Sequence, residues 1–149
     1  MTVAQIAGRC EVMTGTYVDT DRLREGLGVQ LLPISAAEYT AVCEGVPPQR
    51  VESYYQDLLD KFPIAGVSEE SLRVACRNTL ALDDLVLAHN LHAVAIQDLD
   101  EDLHRLAGVR PCLCPPASAE QGVAYGMESD LHTTLGMLAA MRARSGPCM

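Results

Sequence analysis

The stretch "LHAVAIQ", residues 91–97, is the clearest strand in the sequence. It is a continuous apolar run, as expected for a strand whose two faces are both covered. The segment before it, residues 68–90, has the apolar periodicity of a long helix, with Ser68 as a good N-cap and Asn90 able to end it in the left-handed conformation. A long helix leading into a buried strand predicts an α/β domain with a mainly parallel sheet.

The rest of the chain repeats this alternation of short apolar runs and longer amphipathic ones. Strands are predicted over Val3–Ala7, residues 29–35, residues 109–116 and residues 122–126. Pro33 weakens the second of them, and Ser35 can cap the helix that follows. We find no internal repeat and no domain boundary, so residues 1–149 are predicted to form one domain.

Further helices are predicted from their end signals. Asp is a favoured N-cap and Gly a favoured terminator, prolines are tolerated in a first turn, and a Gly-Pro pair ends a helix. These signals predict helices from Asp19 or Asp21 to Gly28, over residues 47–62, and from Glu128–Asp130 to about Arg144.

Composition and charge narrow the classes of function. Aromatic residues make up only 4% of the chain, which favours an aliphatic core and disfavours a surface that stacks sugars or bases. The formal net charge is −9, with 11 basic residues that do not cluster, so nucleic acid and anionic membranes are not expected as partners. The N-terminus lacks the pattern of a secretory signal, and the six cysteines are interpreted as reduced thiols of a cytoplasmic protein.

The stretch "AYGMESDLHTTLGML", residues 124–138, holds the main candidate site. Glu128, Asp130 and His132 occupy alternate positions just before a helix. One interpretation is that Ser129 or Asp130 caps the helix and the other acid interacts with its dipole. The other is that the carboxylates and the imidazole help to hold Mn²⁺ or Mg²⁺, which requires a bend, because positions two apart diverge on a helix.

Two other clusters are weaker candidates. Cys112 and Cys114 have metal-ligand character, but no second pair of ligands at zinc-like spacing is obvious, so buried or incidental thiols are preferred. The acidic residues after the clearest strand fit a helix cap and a solvated first turn, or a ligand site beyond the strand end; they are Asp98, Asp100, Glu101 and Asp102. "GRCEVMTG" after the first strand does not match a dinucleotide-binding loop.

Taken together, "IAGR", "GVQLLPIS", "SEESLRVACRNTLALDDLVLAHNLHAVAIQ", "RPCL" and "MESDLHTTLGML" resemble the middle α/β domain of the L-fucose isomerase family. These bacterial aldose–ketose isomerases are related more distantly to L-arabinose isomerases. The resemblance runs from end to end of the chain and implies a three-layer α/β sandwich with a flavodoxin-like parallel sheet.

The resemblance also implies a site. It assigns Glu128 as a metal ligand and a catalytic acid/base, with Asp130 and His132 in supporting positions. In the reaction it implies, Mn²⁺ polarises two oxygens of a sugar while a carboxylate moves a proton between adjacent carbons.

The sequence also departs from the family pattern. A second acidic ligand, a His ligand from a C-terminal domain and an N-terminal domain have no counterpart in these 149 residues, and Gln97-Asp98-Leu99 stands where the family tends to have a Lys-Cys-Trp-like stretch. We therefore expect an incomplete Mn²⁺ site, inactive until missing domains or a partner chain complete it in a homo- or hetero-oligomer. The alternative is a free-standing relative that binds a small molecule or acts as a metal-free acid/base enzyme.

Overall fold

A computed structural model describes residues 1–110, 113 and 115–144 of the chain. Over these residues it contains four strands, β1 (Thr2–Ile6), β2 (Gln30–Ile34), β3 (Ala93–Ile96) and β4 (Ala124–Gly126). They form one sheet in the order β2-β1-β3-β4, and every neighbouring pair is parallel. This sheet, with helices packed on both faces, confirms the predicted α/β sandwich.

The helices of the described residues begin and end close to the predicted signals. They are α1 (Thr20–Leu27), α2 (Ala36–Gly45), α3 (Pro48–Lys61), α4 (Glu69–His89), α5 (Glu101–Ala107), α6 (Pro116–Glu120) and α7 (Leu131–Arg144), with a 3₁₀ turn at Thr14–Thr16. Ser35 forms a reciprocal capping box with Glu38 at the start of α2, and Ser68 caps α4. Gly28 and Asn90 end α1 and α4 in the left-handed conformation, as predicted.

Each face of the sheet buries its own apolar cluster, because successive side chains of a strand point to opposite faces. One face packs against α2, α4 and α5 and includes Ile6 and Ile96. The other face is built from smaller side chains such as Ala93 and Ala95, and it packs against Leu131 and other residues of α7. Helix α3 lies outside α4, so the first of these helix layers is doubled.

The predicted strand at residues 109–116 is wrong over the residues that the structure describes. Val109, Arg110 and Leu113 are not in a strand, and Pro116 begins α6 instead. A proline fits the first turn of a helix, where its missing N–H is not needed, and this preference prevails over the apolar run. Cys112 and Cys114 lie outside the described residues.

The strand order places a topological switch point between β1 and β3. From β1 the chain crosses to β2 on one side, and from β3 it crosses to β4 on the other. We call the side of the sheet where the strands end the carboxyl edge, and the side where they begin the amino edge. In open parallel sheets, ligands bind beyond the carboxyl edge near such a switch point. None of the helices in the described part of the chain combines the length and apolarity that a membrane crossing requires.

Candidate functional site

The connection between β4 and α7 is a tight bend at the carboxyl edge. Glu128 and Ser129 are both in the left-handed region, each with φ of 57°. For residues other than glycine this conformation costs about 1–2 kcal/mol each, so it persists only where surrounding contacts fix it. The metal interpretation required a bend here, but this bend does not bring Glu128, Asp130 and His132 together as a metal-binding group among the described residues.

Backbone bonds to β3 and its loop hold this bend. The Glu128 N–H donates to Asp98 Oδ1 at 2.6 Å, and the Ser129 N–H donates to the carbonyl oxygen of Ile96 at 2.9 Å. Asp98 is only 5% exposed, so this residue is buried at the carboxyl edge. The bond from Glu128 is charge-assisted and fixes the backbone at that position.

The Ser129 side chain joins the same bend to β1. Its hydroxyl donates to the carbonyl oxygen of Gly8 at 2.6 Å and accepts a hydrogen bond from Gln5 Nε2 at 2.9 Å. Ser129 is fully buried. The sequence indicates Ser129 only as a possible helix cap and gives no sign of Gln5, because contacts between residues more than 100 positions apart leave no local pattern.

Glu128 is the acid of this bend whose carboxylate is not engaged. Its side chain is partly buried, and the carboxylate makes no hydrogen bond or ion pair with any residue that the structure describes. Its backbone is held while its charge is available at the carboxyl edge. A carboxylate placed in this way can accept a proton or share a cation.

Asp130 has the role of the helix cap. Its carboxylate accepts hydrogen bonds from the Thr133 backbone N–H at 2.9 Å and from the Thr133 hydroxyl at 2.5 Å. The bond from the hydroxyl, followed by that from the backbone N–H, lowers the pKa of Asp130. The capping interpretation therefore describes Asp130, and this carboxylate supports the start of α7.

His132 lies in the first turn of α7 and is exposed. Its Nδ1 atom is 2.7 Å from the carbonyl oxygen of Gly15. Because a carbonyl oxygen can only accept, Nδ1 carries a proton and donates the hydrogen bond. In the neutral ring Nε2 is then an acceptor. This hydrogen bond therefore links the 3₁₀ segment after β1 to α7.

The acidic residues after β3 have two different structural roles. Asp100 caps α5 by accepting a hydrogen bond from the Leu103 N–H at 2.7 Å, and Glu101 and Asp102 are exposed in the first turn. This agrees with the interpretation of those three residues as a helix cap and a solvated first turn. Asp98 departs from it, because its carboxylate binds the Glu128 N–H across the edge of the sheet.

Gln97, between β3 and Asp98, contains an unsatisfied group. The residue is 6% exposed, and its side-chain oxygen is buried without a hydrogen-bond partner among the described residues. Most buried polar atoms in proteins are paired, so an exception next to a switch point indicates a place where a water or ligand donor fits. In the sequence, Gln97 stands out only as a departure from a family pattern.

The described residues do not by themselves fit a Mn²⁺ site. Oxygen ligands suit Mn²⁺, but no three His, Cys, Asp or Glu side chains are grouped for metal binding in the part of the chain that the structure covers. Asp98 and Asp130 are occupied by N–H and hydroxyl donors, which leaves the carboxylate of Glu128.

Comparison with known proteins supplies no family for this chain. No protein-family model matches it, and no curated protein matches it. The site is therefore interpreted from its own geometry and from the sequence resemblance described above.

Proposed function

We propose that this chain is one domain of a metal-dependent aldose–ketose isomerase similar to L-fucose isomerase, to which it contributes the carboxylate of Glu128. The observation that supports this most directly is the state of that side chain. Its backbone N–H donates to Asp98, while its carboxylate, at the carboxyl edge of a parallel sheet, has no partner among the described residues. Active-site groups of open α/β sheets lie at this edge.

The proposed reaction needs a carboxylate of this kind. When an aldose becomes a ketose, the proton on C2 moves to C1 and the proton of the C2 hydroxyl moves to the C1 oxygen. Glu128 takes the C2 proton, exchanges it with solvent while it is on the carboxyl group, and delivers a proton to C1 of the enediol, so the carboxylate is unchanged at the end. A rigid backbone matters here, because proton transfer requires the carboxylate to stay within hydrogen-bond reach of both carbons.

In this proposal the remaining Mn²⁺ ligands and the sugar-binding groups come from missing isomerase domains or from a partner chain. The described residues do not make a complete donor set, so we assign to this chain no step beyond proton transfer. We place the assembly in the cytoplasm. The free thiols of Cys10, Cys43 and Cys76, all buried, are consistent with a reducing compartment.

Solvent deuterium provides a test. The protein in its natural assembly, supplied with Mn²⁺, is incubated in D₂O with L-fucose and other aldoses, and deuterium at C1 and C2 is measured by NMR. We expect Glu128→Gln to reduce incorporation about 100-fold or more, because the amide cannot accept the proton. Glu25→Gln, an exposed residue of α1 with the same change of charge, serves as the matched control. Equal incorporation in the two variants would contradict the proposal.

A second candidate function is favoured by Gln97. Its side-chain oxygen lies beside the switch point without a partner among the described residues, which supports binding of a small polar molecule at the carboxyl edge. In this alternative the protein is a free-standing relative that binds such a molecule or acts on it as a metal-free acid/base enzyme. Activity of this chain alone that is lost in Glu128→Gln and insensitive to chelators would establish this alternative. Activity that is abolished by chelators and restored by Mn²⁺ would exclude it.

A further inference from the structure

A cavity of about 220 Å³ opens at the amino edge of the sheet, whereas Glu128 lies at the carboxyl edge. Val86, Leu91 and Val123 line it, and each is less than a tenth exposed, so they give it an apolar floor. An engineered apolar cavity of about 150 Å³ holds a benzene molecule. The space is therefore large enough for a compact ring or branched chain that carries one polar group.

The polar side chains around this floor can all donate hydrogen bonds. Arg142 of α7 and the amides of Asn90 and Gln121 line the cavity together with His92. The Thr2 N–H donates to Nδ1 of His92 at 3.2 Å, so the proton of the neutral ring is on Nε2. His92 therefore adds another donor, and the lining is rich in donors over an apolar floor.

The charge of the lining is opposite to that of the chain. The protein has 20 acidic and 11 basic residues, yet the described residues that line the cavity include an arginine and no aspartate or glutamate. The Arg142 guanidinium forms no ion pair with any described residue. Most other arginines of the described chain pair with a carboxylate, namely Arg22, Arg24, Arg50, Arg73 and Arg105.

We propose that this cavity binds a small organic carboxylate, whose charged group meets Arg142 and whose apolar body contacts the floor formed by Val86, Leu91 and Val123. A guanidinium matches a carboxylate through two parallel hydrogen bonds, and a lining without acids among the described residues avoids the repulsion that the acidic surface exerts elsewhere. The proposal is independent of the function assigned to Glu128. A purely structural role for Arg142, at the negative end of the α7 dipole, predicts no ligand.

The experiment is an NMR titration of the full ¹⁵N-labelled chain with benzoate, followed at the backbone amides. We expect saturable shifts at Leu91, His92, Gly122 and Val123 in the millimolar range. Benzyl alcohol, which has the same ring without the charge, is expected to bind about tenfold more weakly. Inorganic phosphate, an anion without an apolar body, is expected to give no saturable shift there. Equal binding of benzoate and benzyl alcohol, or saturable binding of phosphate at these amides, would overturn the proposal.

Variants separate ligand binding from helix stability. Arg142→Met retains much of the apolar side chain and is expected to lower benzoate affinity about tenfold or more, with benzyl alcohol affinity unchanged. Arg142→Lys should keep part of the affinity, and Arg105→Met, an exposed arginine of α5, should keep all of it. Spectra without ligand report whether each variant is folded. A folded Arg142→Met protein with unchanged benzoate affinity would show that this arginine serves only the end of α7.

Discussion

The two edges of the sheet have opposite chemistry. The carboxyl edge contains Asp98, Glu128 and Asp130 and backbone in the left-handed region, whereas the amino edge has a cavity lined by Arg142 and His92 and by no acid of the described chain. Part of this contrast follows from parallel topology. The helices that follow β3 and β4 begin at the carboxyl edge, where acids cap them, and α4 and α7 end at the amino edge, where cations suit the helix dipole.

This comparison shows which charges indicate a site. Asp100 and Asp130 cap helices, and Asp98 accepts a backbone N–H, so their presence at the carboxyl edge follows from architecture alone. Glu128 caps nothing in the described structure and Arg142 pairs with no described acid. These two side chains are therefore the charges that the described contacts leave open to a ligand, one at each edge.

The largest predicted effect comes from Gly126→Ala, at the last residue of β4. A Cβ atom there would lie 1.8 Å from Thr134 Oγ1, a fully buried atom that donates to the carbonyl oxygen of Asp130. We expect a loss of about 1–3 kcal/mol in the free energy of unfolding, measured in urea, because strand and helix must move apart. The carboxyl edge depends on this close approach.

Two variants act as controls for Gly126→Ala. Gly136→Ala in α7 meets no atom within 4 Å and should stabilise the protein by about 0.5–1 kcal/mol, since alanine is the better helix former. Adding Thr134→Ala to Gly126→Ala removes the nearest atom and should restore part of the loss. Additive destabilisation in the double variant would show that this contact is not the cause.

Asp98→Ala is expected to have the next largest effect. It leaves the Glu128 N–H without its acceptor, which should cost about 1–2 kcal/mol and loosen the left-handed bend. Asp98→Asn keeps an acceptor oxygen and should cost less. Asp102→Ala, exposed on α5, should change stability little. Amide hydrogen exchange at Glu128 and Ser129 measures the effect, and unchanged protection in Asp98→Ala would show that the bend is held without this carboxylate.

Because Asp130 caps α7, the stability of the folded protein is predicted to depend on pH. Because the pKa of Asp130 is lower in the folded than in the unfolded protein, its contribution is present above the unfolded pKa of about 4 and is lost as the pH falls through the folded pKa. Asp130→Asn keeps an N-cap but cannot titrate. It should unfold with a smaller loss of stability between neutral pH and about pH 3 than the parent protein. Urea unfolding at both pH values measures this, and an equal loss of unfolding free energy in the two proteins would contradict the prediction.

Local signals were sufficient to predict most of the fold. The caps at Ser35, Ser68 and Asn90 and the continuous apolar run of β3 each depend on residues close in sequence. The prediction of a strand at residues 109–116 was wrong over the described residues, because the preference of Pro116 for a helix start prevailed over the apolar pattern. Strand order was not predicted, because it depends on which helices cover which face.

The site was predictable only in part. The motif placed Glu128, Asp130 and His132 at a helix start, and the helix-cap function applies to Asp130 as one interpretation anticipated. The bonds that fix Glu128 were not predictable, since Asp98 lies 30 residues away and is brought near by the pairing of β3 with β4. The amino-edge cavity was also missed, because Arg142 and His92 are 50 residues apart and share no motif.

The smallest predicted effect concerns Gln97, and it tests whether the carboxyl edge has a ligand of its own. Replacing a buried amide whose oxygen has no described partner by leucine of similar size removes a desolvated polar atom without breaking a bond to that oxygen. Gln97→Leu should therefore leave the free energy of unfolding within about 0.5 kcal/mol of the parent, or raise it. Leucine at Gln5, which donates to Ser129, should instead destabilise the protein by about 1 kcal/mol. If the two variants lose stability equally, the Gln97 side chain makes a stabilising contact of its own, and the interpretation of its oxygen as an acceptor for a small polar ligand is contradicted.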